Sequence, residues 1–174
     1  MTFDSQLFLQ NLRDLDLEAG KTYIRDQLAD LHDYKTVSEL IAEEALNQLY
    51  INPATSLKIA ELLIFFGETV QHTSSHALGL KAKGDVLRAF GMHQAAMDCL
   101  DAAGEEFLQL GDEGNWARSR ITWIVACAWL GRVDEALQEA VRAHKAFIHL
   151  DEYYWAIMRR SVLVRTCDMG RASA

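Results

Sequence analysis

Residues 130–152 read LGRVDEALQEAVRAHKAFIHLDE, and residues 90–112 read FGMHQAAMDCLDAAGEEFLQLGD. Laid over one another at a shift of 40, Gly91 falls on Gly131, Ala96 on Ala136, Ala103 on Ala143, Phe107 on Phe147 and Leu110 on Leu150. A further 40 back from Ala96 stands Ser56, in NPATSLKIAELLIFFGE, three places after a proline suited to a first helical turn. Three copies of a unit of this length predict an all-α fold, a solenoid of helical hairpins in which each hairpin buries its apolar face on the next.

Each conserved spacing within the unit has a physical reason. Glycine ends the first helix of a pair because the residue after a helix terminus often takes a left-handed backbone, which glycine adopts without steric cost. Ala96 and Ala103, like Ala136 and Ala143, lie seven apart on the second helix, nearly on one face, where small side chains let helices approach. Phe107 and Phe147, four residues further, are placed to fill the space toward the following hairpin.

The rest of the chain agrees with helices. Of 174 residues half are apolar and one is proline, enough for one good-sized core with few helix breakers. The breaks predict helices over 4–16, 20–32, 36–50, 53–71, 75–90, 92–110, 115–130, 132–150 and 152–169. They fall at Gly20, DYK, INP, HTSS, Gly91, GDEG, Gly131 and Asp151. Residues 1–35 read as a helical lead-in and 36–174 as repeats, about 36–74, 75–114 and 115–151 with an unpaired last helix over 152–169, all in one domain.

The formal charge of -8 argues against general attraction to phosphate backbones or anionic lipid, so neither nucleic acid nor membrane is an expected partner. Residues 1–70 hold nearly all the excess, with 12 acidic against 5 basic side chains. Cys99, Cys127 and Cys167 form an odd set in apolar helical runs without CxxC spacing, which predicts buried thiols and a cytoplasmic protein. No apolar run reaches the ~20 residues that span a bilayer.

The 40-residue spacing, LG before the second helix, EA within it and LGD after it resemble the tetratricopeptide repeat in its long form. The stretch HALGLKAKGDVLRAFGMHQAAMDCLDAAGEEFLQLGDEGNWARSRITWIVACAWLGRVDEAL is similar to the N-terminal repeat arrays of bacterial proteins that end in a caspase-like CHAT domain. YIRDQLADLHDYKTVSELIAEEALNQLYINPATSLKIAELL is similar to their helical lead-in. The resemblance covers about residues 20–169 and implies a right-handed superhelix that binds proteins. A protease domain would lie beyond Ala174, so no protease activity carries over, and NP at Asn52 and Pro53 stands where an acidic residue before proline is more usual.

Catalytic and metal constellations are weak. His72 and His76 are four apart but flank TSS, which reads as a turn, and no third ligand is suitably spaced. His144 and His149 point to different faces. Cys99 with His93, and Cys127 with His144, place the thiols in apolar surroundings that disfavour a thiolate. Glu105 and Glu106, like Glu43 and Glu44, diverge by about 100 degrees around a helix and read as solvated pairs. GLKAKGD lacks the preceding strand and GxxxxGK[ST] spacing of a phosphate loop, and its Gly84 suits a helix contact. No enzyme activity, cofactor or metal is expected.

The first helix of each pair carries the functional expectation, because the resemblance implies that it lines the concave surface where peptides bind. Leu78, Lys81, Asp85 and Arg88 are then placed on the groove in one repeat, Arg118, Ile121, Val125 and Trp129 in the next, and Arg160 with Val164 in the last helix. Cations there favour an acidic peptide or a free C-terminal carboxylate. Trp116 and Trp155, 39 apart, read as structural, Trp123 as core, and Trp129 as either packing or a groove anchor.

Two partners remain open. A protein or peptide partner in the groove makes the chain a scaffold or adaptor module, with regulation of an attached CHAT-type protease as its setting. The alternative is the effector-sensing module of a bacterial transcription regulator, which calls for a pocket between first helices. The last helix, EYYWAIMRRSVLVRTCDM over 152–169, is apolar on more than one side and lacks a pair, so a homodimer, a further repeat or a partner domain is expected to cover it.

Overall fold

A computed structural model describes residues 4–150, and among these all regular structure is helical. The eight α-helices are α1 (Ser5–Asp14), α2 (Leu17–Gln27), α3 (Tyr34–Gln48), α4 (Pro53–Thr69), α5 (Thr73–Ala89), α6 (His93–Gln109), α7 (Glu113–Trp129) and α8 (Val133–His149), with a 3-10 turn at Leu28–Asp30. From α3 onward each helix packs on the next, and α3 also packs on α5 and α5 on α7. Tight turns between consecutive packed helices make them antiparallel, so α3, α5 and α7 share one layer, an arrangement compatible with an α-solenoid. No described helix is long and apolar enough to cross a membrane.

The 40-residue period is built into the backbone. The helices α4, α6 and α8 start at Pro53, His93 and Val133, α5 and α7 start at Thr73 and Glu113, and all five have 17 residues. Gly91 and Gly131 end α5 and α7 with φ of 76° and 77°. The turns after α4 and α6 use the same left-handed step, at Gln71 with φ 53° and Gly111 with φ 69°.

Repeated small residues mark where helices touch. Ser56, Ala96, Ala136, Ala103, Ala143, Phe107 and Phe147 are all buried. The Ser56 hydroxyl donates to the Ala45 carbonyl at 2.6 Å, which satisfies a polar group at a position where the later copies use alanine. A Cβ on Gly67 would lie 2.4 Å from the His76 backbone nitrogen, and one on Gly79 would lie 2.6 Å from that of Ile64, so α4 and α5 meet backbone to backbone. Gly84 does the same job less tightly, opposite the Leu100 side chain at 2.6 Å.

The N-terminal helices close one end of the stack. Phe8, Leu12 and Ile24 join Ile41, Ile59, Leu62 and Leu63 in one cluster. Lys58 of α4 donates to the Arg13 and Leu15 carbonyls at 2.7 and 2.5 Å, tying down the end of α1, and burial lowers its pKa.

Several breaks differ from expectation, with α3 opening at Tyr34 inside DYK and α7 at Glu113 inside GDEG. The second helix starts at Leu17, not near residue 20. Gly20 lies inside it, buried where a Cβ would meet Leu62 at 2.9 Å, so this glycine serves contact and not a turn. The segment TSS opens α5 instead of preceding it. His72 is the cap residue, and the buried Ser75 hydroxyl is shared with His72 at 2.6 Å and with Ser38 of α3.

Candidate functional site: a groove between the first helices

Ridges of α3, α5 and α7 enclose a cavity of about 420 Å³. Of the groove residues expected from sequence, Lys81, Asp85, Arg88, Arg118 and Ile121 line it together with Leu78. Val125 and Trp129 are not among its lining. Arg160, Val164, Trp155, Cys167 and the last helix lie outside the described residues.

The wall that the sequence reading left unnamed is α3, through Ala42, Glu43, Ala45, Leu46, Leu49 and Tyr50. The repeat carried the signal, since a 40-residue shift maps Ala42 onto Ala82 and then Thr122, and all three line the cavity. Leu46 is 54% exposed and Tyr50 82%, so the cavity opens onto an apolar rim.

The charges along the groove are unequal in availability. Lys81 pairs with Asp85 at 2.9 Å, and Thr122 of α7 donates to the other Asp85 oxygen at 2.6 Å. Asp85 is therefore a strut that ties α5 to α7, and it neutralises Lys81. Arg118 donates to Asn115 at 3.2 Å. Arg88 is half-buried and makes no ion pair with any described residue. Glu43 faces the same space from α3.

The remaining constellations resolve into packing. Trp129 is 58% exposed and stacks on His93, with ring centroids 5.7 Å apart and planes at 7°. Trp116 and Trp123 are buried. His72 and His76 take different partners, Ser75 for the first and Glu106 at 2.7 Å for the second. No cluster of three or more His, Cys, Asp or Glu suited to a metal occurs among the described residues. Burial pushes the Cys99 and Cys127 thiols up.

Two of the acids expected to be solvated are engaged. Glu106 holds His76, and Glu44 is buried, accepting from Arg13 at 3.0 Å and Gln48 at 2.9 Å. In both pairs it is the acid turned toward a neighbouring helix that is captured, while the adjacent one is exposed. The sequence reading also passed over Arg120, a 4% exposed side chain whose guanidinium binds Asp101 at 2.7 Å and the Leu100 carbonyl, with Glu139 at 3.9 Å. It joins α6, α7 and α8 over Gly104, where a Cβ would meet it at 2.7 Å.

Neither a protein-family model nor a curated protein matches the chain.

Proposed function

We propose that this chain is a right-handed solenoid of tetratricopeptide type that serves as a protein-interaction module, holding a segment of a partner protein between α3, α5 and α7. The observation that carries this reading is the 420 Å³ cavity, mostly apolar along α3, with Arg88 left without an acidic partner among the described residues. A buried or half-buried cation without a counter-ion favours a ligand that brings one. The resemblance to CHAT-linked arrays adds a native setting, regulation of an attached caspase-like protease. Thiols raised by burial support a binding role over a catalytic one.

Charge reversal Arg88→Glu tests the reading by comparing the proteins that wild type and variant retain from a lysate of the source organism. A set lost selectively from the variant, with helicity and melting unchanged, supports the groove, whereas identical sets contradict it.

A second reading follows from the cavity volume, which lies within the roughly 300–1,000 Å³ typical of small-molecule sites. It makes the chain an effector sensor of a transcription regulator. Metabolite-induced rises in melting temperature that vanish when Val86→Trp fills the cavity would favour it over the partner-segment reading.

A further inference from the structure

The turns that join α3 to α4, α5 to α6 and α7 to α8 lie on one edge of the stack, because the three first helices run parallel in one layer. The flat stack of Trp129, at the end of α7, on His93, at the start of α6, puts two of these turns in contact. This edge is apolar and exposed. Tyr50 and Ile51, at 82% and 77%, are the two most exposed large apolar side chains among the described residues, and Phe90, Met92, Trp129 and Leu130 continue the row in solvent. Charge is absent from it. Residues 45–57, 89–97 and 121–131 carry no Asp, Glu, Lys or Arg, although these make up 24% of the chain, and the nearby Arg132 is neutralised by Glu135 at 2.6 Å. An exposed apolar strip on an otherwise charged surface marks an interaction site.

Two features select its occupant. Tyr50, Phe90 and Leu130 stand 40 residues apart, one per repeat, so the row is evenly spaced about Phe90 and matches itself when a second copy is turned by 180°. Phe90 then meets Phe90 of the other copy, and Tyr50 meets the other copy's Leu130. Charge favours the same arrangement. Residues 1–70 hold 12 acidic and 5 basic side chains, whereas 71–150 hold 10 and 8 and 151–174 hold 3 and 4. The turned copy sets each acidic end opposite a nearly balanced one, while two copies side by side in the same direction would oppose their acidic ends. We propose that this edge is a two-fold interface between copies of this chain, centred on Phe90. It is a different surface from residues 152–169, and because Tyr50 also lines the cavity, pairing brings the second copy to the groove's rim.

Sedimentation velocity of the full chain tests it. The mass is expected to rise from 19.6 kDa toward twice that as concentration increases through the micromolar range. Ile51→Asp and Phe90→Glu, both at exposed positions, are each expected to weaken dimerisation at least tenfold with helicity unchanged. A short bismaleimide crosslinker gives a second measurement that places no charge in the interface. Phe90→Cys alone is expected to crosslink, as is Tyr50→Cys mixed with Leu130→Cys. Tyr50→Cys alone and Leu108→Cys, near the far end of α6, are expected to stay at the level of the unsubstituted chain. A chain monomeric throughout, a dimer indifferent to both charge substitutions, or crosslinking from Leu108→Cys or Tyr50→Cys alone that matches Phe90→Cys overturns the inference. Monomers that float with phosphatidylcholine vesicles overturn it in favour of a lipid surface.

Discussion

Gly67 and Gly79 are the residues on which the packing of α4 against α5 depends most sharply. Each faces backbone atoms within 2.6 Å of where a Cβ would stand, and backbone cannot swing aside. Gly67→Ala and Gly79→Ala are each expected to cost about 1–3 kcal/mol in urea denaturation, the range for overpacking. Gly104→Ala is expected to fall in the same range by displacing Arg120. Cys99 and Cys127 give a contrasting prediction, since thiols raised by burial alkylate slowly. Mass-mapped iodoacetamide labelling at neutral pH should modify both faster in urea than in the folded chain, and fast native labelling of either would reopen nucleophilic chemistry.

Small residues at a 40-residue spacing were legible because their job repeats with the hairpin. Arg120 was not, because its acids come from α6 and α8 and no local pattern announces a buried guanidinium. Gly20 misled for a related reason, as a glycine that makes room for Leu62 looks in sequence like one that ends a helix.

At the level of elements, the groove depends on how α3, α5 and α7 are held. Asp85 bridges the last two, and Asp85→Ala frees Lys81 while unpairing Thr122. A loss of about 1–3 kcal/mol in denaturant unfolding is expected, from hydrogen bonds to a charged group in a half-buried site. Unchanged stability would show that α5 and α7 hold together without the strut. The start of α3 is pH-sensitive. Asp33 caps it by accepting from the Thr36 backbone at 3.1 Å and hydroxyl at 2.7 Å, which holds its carboxyl below the usual range.

A depressed carboxyl pKa stabilises the fold above the unfolded value and loses that contribution as pH falls through the folded one. Amide exchange over the first turn of α3 should therefore quicken below about pH 4, the ordinary aspartate pKa, relative to exchange at the α4 cap. Asp33→Asn should remove most of that dependence, and persistence of the full dependence in the variant would assign it elsewhere.

On the scale of the whole molecule, the repeat made the layer of first helices legible, while the expectation of a groove on that layer came from the family resemblance. It could not show which cations are already paired, since Lys81 and Asp85 satisfy each other only once folded, with Thr122 closing the contact from another helix. Trp129 illustrates the same limit: the family resemblance offered it to the groove, while in the fold it lies flat on His93.

The most direct test of the groove is photo-crosslinking in cells of the source organism, with benzoylphenylalanine replacing Leu46 in the groove or Leu108 on α6, both about half exposed. Discrete protein adducts are expected from position 46 that Arg88→Glu suppresses, and none of these from position 108. Adducts confined to position 108, or adducts from 46 indifferent to Arg88→Glu, would contradict it.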